Sequence, residues 1–139
     1  MGIGIIFKNI KYTIYNKMQP EILQPIKIEK GWGYELWMVN NAKYCGKILK
    51  FNKNAKFSMH YHLKKDETWF IKSGKFTFRW IDTHNANIIE KELIENDTIR
   101  IPIGLPHQLE TIDGGEIIEI STQHFEDDSY RIMKGDGQK

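Results

Sequence analysis

Cysteine is nearly absent from this 139-residue chain: Cys45 stands alone. No internal disulfide can therefore form, a reducing compartment is compatible, and stability must come from a packed interior. No stretch approaches the roughly 20 consecutive apolar residues of a membrane helix. The opening MGIGIIF lacks the basic segment and longer apolar run of an export signal, so the expected location is cytoplasmic. Charge of one sign is also missing: 20 Lys and Arg against 18 Asp and Glu give a formal +2, with the signs interspersed. Nucleic acid and membrane surfaces thus have no electrostatic support as partners, and a small-molecule ligand is the expected one. Helical periodicity is weak everywhere except over Asp127 to Met133, and internal repeats, low-complexity tracts and interdomain linkers are lacking.

What is present is ordinary globular composition, 40% hydrophobic and 12% aromatic, in a length suited to a single domain. Apolar and polar residues alternate in short runs: Lys47 to Phe51, Phe57 to Tyr61, Thr68 to Ile71 and Lys75 to Ile81. Each run stops at residues that suit turns or positive φ, namely Asn52 and Asn54, Ser73-Gly74, the stretch from Asp82 to Asn87, Asn96-Asp97 and Asp113-Gly114-Gly115. Many short strands at such spacing predict an all-β sandwich or barrel. Residues 1–25, with Pro20 and Pro25, read as an arm or edge strand, residues 26–133 as the barrel, and residues 134–139 as a frayed tail. A short helix is expected over Asp127 to Met133, where acidic residues favour the helix dipole. Homodimerisation is expected too, because a small barrel leaves a sheet edge or face for a partner to cover.

His60 and His62 lie two apart on a predicted strand, so both imidazoles leave one face and can share a metal. Glu67 follows a short polar turn and can return beside them. His107 sits in Pro102-Ile103-Gly104-Leu105-Pro106-His107, where two prolines and a glycine fix a bend able to aim an imidazole inward. Three nitrogens and one carboxylate suit one divalent metal, Zn, Mn, Fe, Ni or Co, with coordination positions left for water or substrate. A lone His-x-His is more often an ordinary strand pair; four donors at coordinated spacings, with Gly74, Pro102 and Gly104 in register, favour the metal. His84 and His124 fall outside this pattern and read as solvent-facing. Lys64 and Lys65 read as a solvated turn, Cys45 as a small buried residue, and Trp32, Trp37, Trp69 and Trp80 as core, with a sugar-stacking role open for Trp69.

His60-x-His62, Glu67 and Gly74 resemble the first motif of the cupin superfamily, and Pro102-x-Gly104-x-x-His107 the core of the second. Asn54 and Asn96 stand where the family has its leading glycines, and Thr111 where it has a late asparagine. The resemblance implies a double-stranded β-helix, or jelly-roll, barrel. A narrower likeness covers about residues 26–131. Trp32-Gly33, Tyr34-Glu35, Tyr44-x-x-Lys47, Ile101 to Gly104 with His107-x-Leu109-Glu110, Ile117 to Ile120 and Glu126 to Arg131 resemble the C-terminal cupin domain of type II phosphomannose isomerases and mannose-1-phosphate guanylyltransferases.

That likeness implies a mannose-6-phosphate isomerase-like enzyme, in which a base moves a proton between adjacent carbons of a sugar phosphate while the metal polarises their oxygens. The chain departs from it at His60, typically glutamine, at Gln108, typically basic, and over Thr122 to Phe125. No guanylyl transfer is expected. Strand parity and the resemblance together single out Lys47 as phosphate contact or proton-transfer partner, Glu110 as base and Arg131 as charge stabiliser at the barrel mouth. Solvated surface charges are the alternative for each, and alternation from an inward His107 turns Glu110 outward. An iron-dependent dioxygenase and a non-catalytic sugar-binding module are the competing functions, since one fold hosts many chemistries.

Overall fold

The computed structural model describes residues 18–139. Most of the expected arm, residues 1–17, lies outside them. Residues 18–25 carry no strand, consistent with the two prolines, and the first strand starts directly after Pro25. Twelve strands follow: β1 (Ile26–Lys30), β2 (Gly33–Asn40), β3 (Cys45–Phe51), β4 (Ala55–Lys56), β5 (Met59–Tyr61), β6 (Glu67–Gly74), β7 (Phe76–Ile81), β8 (Ile88–Leu93), β9 (Thr98–Ile101), β10 (His107–Thr111), β11 (Gly115–Ser121) and β12 (Tyr130–Met133). They form two antiparallel sheets, ordered β1-β2-β3-β11-β6-β9 and β12-β5-β10-β7-β8, with β4 also pairing β10. This is the two-sheet jelly-roll arrangement.

The turns use the residues that their geometry requires. Asn54 and Asn96 have φ of 53° and 74°, the left-handed region that asparagine tolerates best after glycine. At Gly74, with φ of 89°, a Cβ would fall 2.3 Å from the Gly114 carbonyl oxygen, so both the conformation and the close approach demand glycine.

Strand alternation sorts the interior by height. Along β3 the inward residues are Cys45, Lys47, Leu49 and Phe51, and along β6 they are Glu67, Trp69 and Ile71. In register, Ser121 of β11 lies opposite Glu67 and Cys45, Glu119 opposite Trp69 and Lys47, and Ile117 opposite Ile71 and Leu49. One end of the barrel is thus lined by polar groups. The other is filled by an apolar cluster including Trp32, Phe51, Phe57, Phe76, Phe78 and Leu109, with Trp32 stacked on Phe51 at 4.5 Å. The apolar end supplies the burial that holds the sheets together, and leaves the polar end free to be a cavity.

Two expectations at the C-terminus are corrected. In place of a helix over Asp127–Met133 there is a turn and then β12, paired with β5 through Tyr130↔Tyr61 and Arg131↔His60. The acidic run serves that turn: the Asp128 carboxylate is consumed by backbone amides elsewhere rather than by a helix N-terminus. The tail is docked rather than frayed. Asp136–Gln138 forms a single 3-10 turn, Lys56 donates its backbone N–H to Asp136 Oδ2 at 2.7 Å, and a Cβ on Gly135 would lie 2.3 Å from the Phe57 carbonyl carbon. The glycines that suggest fraying in the sequence let the chain lie flat against the barrel.

Candidate metal centre

His60 and His107 face each other across the β5–β10 ladder, and His62 follows on the same face as His60. The turn carrying His107 is tied to this strand by the Gly104 amide, which donates to the His62 carbonyl at 2.8 Å. One ring nitrogen from each of the three histidines lies within 4.8 Å of the others. Each Nδ1 has a carbonyl partner: Ser58 for His60 and Leu105 for His107, both at 2.8 Å, and Asp128 for His62. A carbonyl only accepts, so each Nδ1 carries the proton and each Nε2 presents a lone pair. Burial, with the neighbouring histidines, holds His60 well below the usual imidazole range. Burial and then the Lys65 charge bring His62 down to about 4. His60 and His62 are therefore neutral, the form that binds a cation.

Glu67 is fully buried, with Oε1 3.2 Å from His107 Nε2 and Oε2 3.8 Å from His62 Nε2. Oε2 also lies 2.7 Å from Lys65 Nζ, off the line of a hydrogen bond. His107 Nε2 and Glu67 Oε2 are buried without a hydrogen-bond partner, an arrangement costly for a metal-free interior and suited to a cation. Burial opposes the Glu67 charge, but Lys65 above all more than offsets it and keeps the carboxyl ionised. The four donors expected from the sequence are thus brought together, three as a compact nitrogen cluster and Glu67 beside it. These residues fit a divalent metal.

The opposite wall holds groups that the sequence reading missed. Lys65, expected as a solvated turn residue, is buried, with its ammonium 2.9 Å from Glu119 Oε1 as well as beside Glu67. Lys47 is 1% exposed, 3.2 Å from Glu35 and 3.9 Å from Glu119, so the surface alternative for it falls away. Lys65 reaches the interior because its turn is folded over Asp128, whose carboxylate accepts the backbone N–H groups of Leu63, Lys64 and Lys65 at 2.8 to 3.2 Å. The Asp128 carbonyl meanwhile orients His62. His124, expected in solvent, packs edge-on against Trp37 at 4.8 Å. Asn40 clamps it by exchanging two hydrogen bonds with its backbone, and burial followed by the Lys47 charge brings it down to about 3.

Glu110 is not at the site. It points to the outer face, as alternation from His107 requires, and pairs there with Arg79, which also holds Glu90. It therefore cannot act as the base of this cavity. Arg131 lines the mouth. Trp69 is packed in the core, 2% exposed, and both it and Trp37 line the cavity. Glu119 had a readable signal, inward parity along β11 from Ile117. Nothing local in the sequence marks Asp128 or His124, whose places depend on chain crossings. An open cavity of about 520 Å³ is lined by His60 and His62, by Glu35, Glu67 and Glu119, and by Lys47 and Lys65.

No family model matches the chain, and no curated protein matches it. Solved structures do. CapF bound to the inhibitor 3-isopropenyl-tropolone superposes with a TM-score of 0.70 at 18% identity, over 81% of this chain and 35% of that one. The capsular polysaccharide assembling protein CapF from Staphylococcus aureus gives 0.68 at 18% identity, over 81% and 33%. Oxalate decarboxylase from Bacillus subtilis gives 0.69 at 15% identity, over 82% and 33%. The chain has the cupin fold, and it spans about a third of the length of these proteins. No helix among the described residues is long and apolar enough to cross a membrane.

Proposed function

We propose that this cupin is a metal-dependent enzyme acting on a sugar or sugar phosphate, isomerising or epimerising it by proton transfer between adjacent carbons. The observation that carries the reading is the trio His60, His62 and His107, each locked by a backbone carbonyl and with one ring nitrogen of each within 4.8 Å of the others. Glu67 serves as the fourth donor. A bound divalent ion, Zn, Mn, Fe, Ni or Co, supplies polarisation of a substrate oxygen. Lys47 orients the charged wall, Glu119 with its unpartnered Oε2 is the inward carboxylate that can take up a proton, and Arg131 meets the substrate at the mouth. Glu119 replaces Glu110 in this role because of where each side chain lies.

Structural likeness to a capsular polysaccharide assembling protein supports a sugar ligand, and a neighbouring oxalate decarboxylase structure concerns Mn(II) centres. The same donors suit iron and oxygen chemistry; the buried carboxylates and lysines favour a polyhydroxylated ligand instead. The protein acts in the cytoplasm as a homodimer in this reading, with exposed Ile88 and Ile89 on edge strand β8 and Ile132 and Met133 on edge strand β12 available to a second copy.

The test incubates metal-loaded protein with aldose and ketose phosphates and their unphosphorylated parents in deuterated water, reading exchange of the proton beside the carbonyl by NMR. Exchange by any of them is expected. Ligand-induced stabilisation with no exchange would replace the isomerase by a sugar-binding module, and oxygen uptake by the iron-loaded protein would replace it by a dioxygenase.

A further inference from the structure

We infer that the wall opposite the histidines is a recognition site for the uncharged, hydroxyl-bearing end of the ligand, and that Glu119, His124 and Trp37 form it. This deepens the reading that the cavity takes a sugar and rests on it. Glu119 is 3% exposed and Lys65 5% exposed. Lys65 occupies Glu119 Oε1 at 2.9 Å, while Oε2 is buried without a hydrogen-bond partner. Lys47 Nζ stands 3.9 Å from Oε2, beyond hydrogen-bond reach. A buried acceptor without a donor is costly, and a ligand hydroxyl relieves it. His124 Nδ1 is likewise buried and unpartnered, and its backbone is fixed by Asn40, so a second polar atom lines the same cavity. Beside His124, at 4.8 Å between ring centres, lies the indole of Trp37, with Lys47 Nζ 4.4 Å from its ring centre and its N–H donated to Glu35 Oε2 at 2.6 Å. An aromatic face flanked by fixed hydrogen-bonding groups is suited to a sugar's C–H face and hydroxyls.

The same wall rejects a phosphate. Lys47 and Lys65, its two buried ammonium groups, are already shared among Glu35, Glu67 and Glu119, and Lys30, which also lines the cavity, stands 3.8 Å from Glu35. A phosphate placed here would have to displace a carboxylate from a buried pair and would meet the charge of carboxylates whose cations are already engaged. A phosphorylated substrate therefore enters with its phosphate outermost, toward the mouth where Arg131 stands.

Titration of metal-loaded, 15N-labelled protein with mannitol and, separately, with inorganic phosphate tests this. Mannitol is expected to shift the Trp37 indole N–H resonance, whereas phosphate leaves it in place. Glu119→Gln and His124→Phe should each weaken the mannitol response about tenfold, the loss of one good hydrogen bond to a buried partner. If Glu119→Gln does not fold, His124→Phe alone decides. A Trp37 shift with phosphate, no shift with mannitol, or mannitol affinity unchanged in a folded variant would each overturn the inference. Metal content is measured on the same samples. A mannitol response in protein that holds no metal would remove the metal-dependent reading and leave the hydroxyl site standing.

Discussion

The two walls of the cavity are built by different means. The histidine wall belongs to the β5–β10 side, and each of its imidazoles is fixed by a backbone carbonyl. The facing wall, from β2, β3, β6 and β11, is fixed by side chains gripping one another: Glu35 to Lys47, Lys47 to Glu119, Glu119 to Lys65 and Lys65 to Glu67. Backbone-anchored donors form a site in advance of the ligand, whereas a ladder of ion pairs can re-pair around one. The first wall is therefore suited to holding an ion, and the second to a ligand that comes and goes.

The largest expected effect lies on the histidine wall. His62→Ala or His107→Ala should reduce bound divalent metal from about one per chain to none, read by elemental analysis of purified protein. Glu67→Gln should weaken metal binding and turnover together, since it faces two of the imidazoles. Full metal retention in both alanine variants would end the distinction between the walls.

Next in size is Asp128, the residue that joins the two. Its carbonyl holds His62 and its carboxylate holds the turn that delivers Lys65. Asp128→Ala leaves three amides without their acceptor and should cost about 2–4 kcal/mol of stability in chemical denaturation. Metal affinity should fall about 10- to 100-fold, as when an outer-shell partner of a ligand is removed. Asp128→Asn, which retains an acceptor oxygen, should recover part of both.

Much of the histidine wall was legible in the sequence, and the difference between the walls says why. His60-x-His62, Glu67 and His107 are set by local spacing, strand parity and a Pro-Gly turn, all visible along the chain. Asn54 and Asn96 announced their positive φ in the same way. The charged wall is assembled by register between distant strands: Glu119 meets Lys47 and Trp69 only because β11 lies between β3 and β6. Lys65 looks like a surface residue in a polar turn until Asp128, 63 residues away, folds that turn inward. The helix expected at 127–133 failed for the same reason, because pairing with β5 and the amides of residues 63–65 outweighs a weak local propensity.

A smaller effect is expected with pH on the charged wall. His124 is near 6.5 in the unfolded chain and is pushed down to about 3 in the fold, by burial first and then by Lys47 and Lys65. Between those values the unfolded chain binds the extra proton, so this residue's contribution to stability is present above about pH 6.5 and is lost as pH falls toward 3. Thermal melts of the metal-free protein should fall less steeply on acidification in His124→Phe than in the parent. Equal slopes would place His124 in solvent.

The smallest effects separate the interior lysine and the mouth arginine from the outer-face glutamate. Lys47→Ala and Arg131→Ala should lower turnover or ligand affinity with metal occupancy intact, because both line the cavity and neither supplies a donor to the metal centre. Lys47→Ala also leaves Glu35 without its closest cation, at 3.2 Å, so it should destabilise the fold while Arg131→Ala does not. Glu110→Gln serves as the reference. Its partner Arg79 keeps Glu90, the pair sits on the solvent side of β7 and β10, and exposed pairs of this kind contribute about 0–1 kcal/mol. Metal content, mannitol response and turnover should match the parent within error. A tenfold loss of turnover in Glu110→Gln would place a functional group on the outer face and dissolve the assignment of proton transfer to the inward carboxylate of β11.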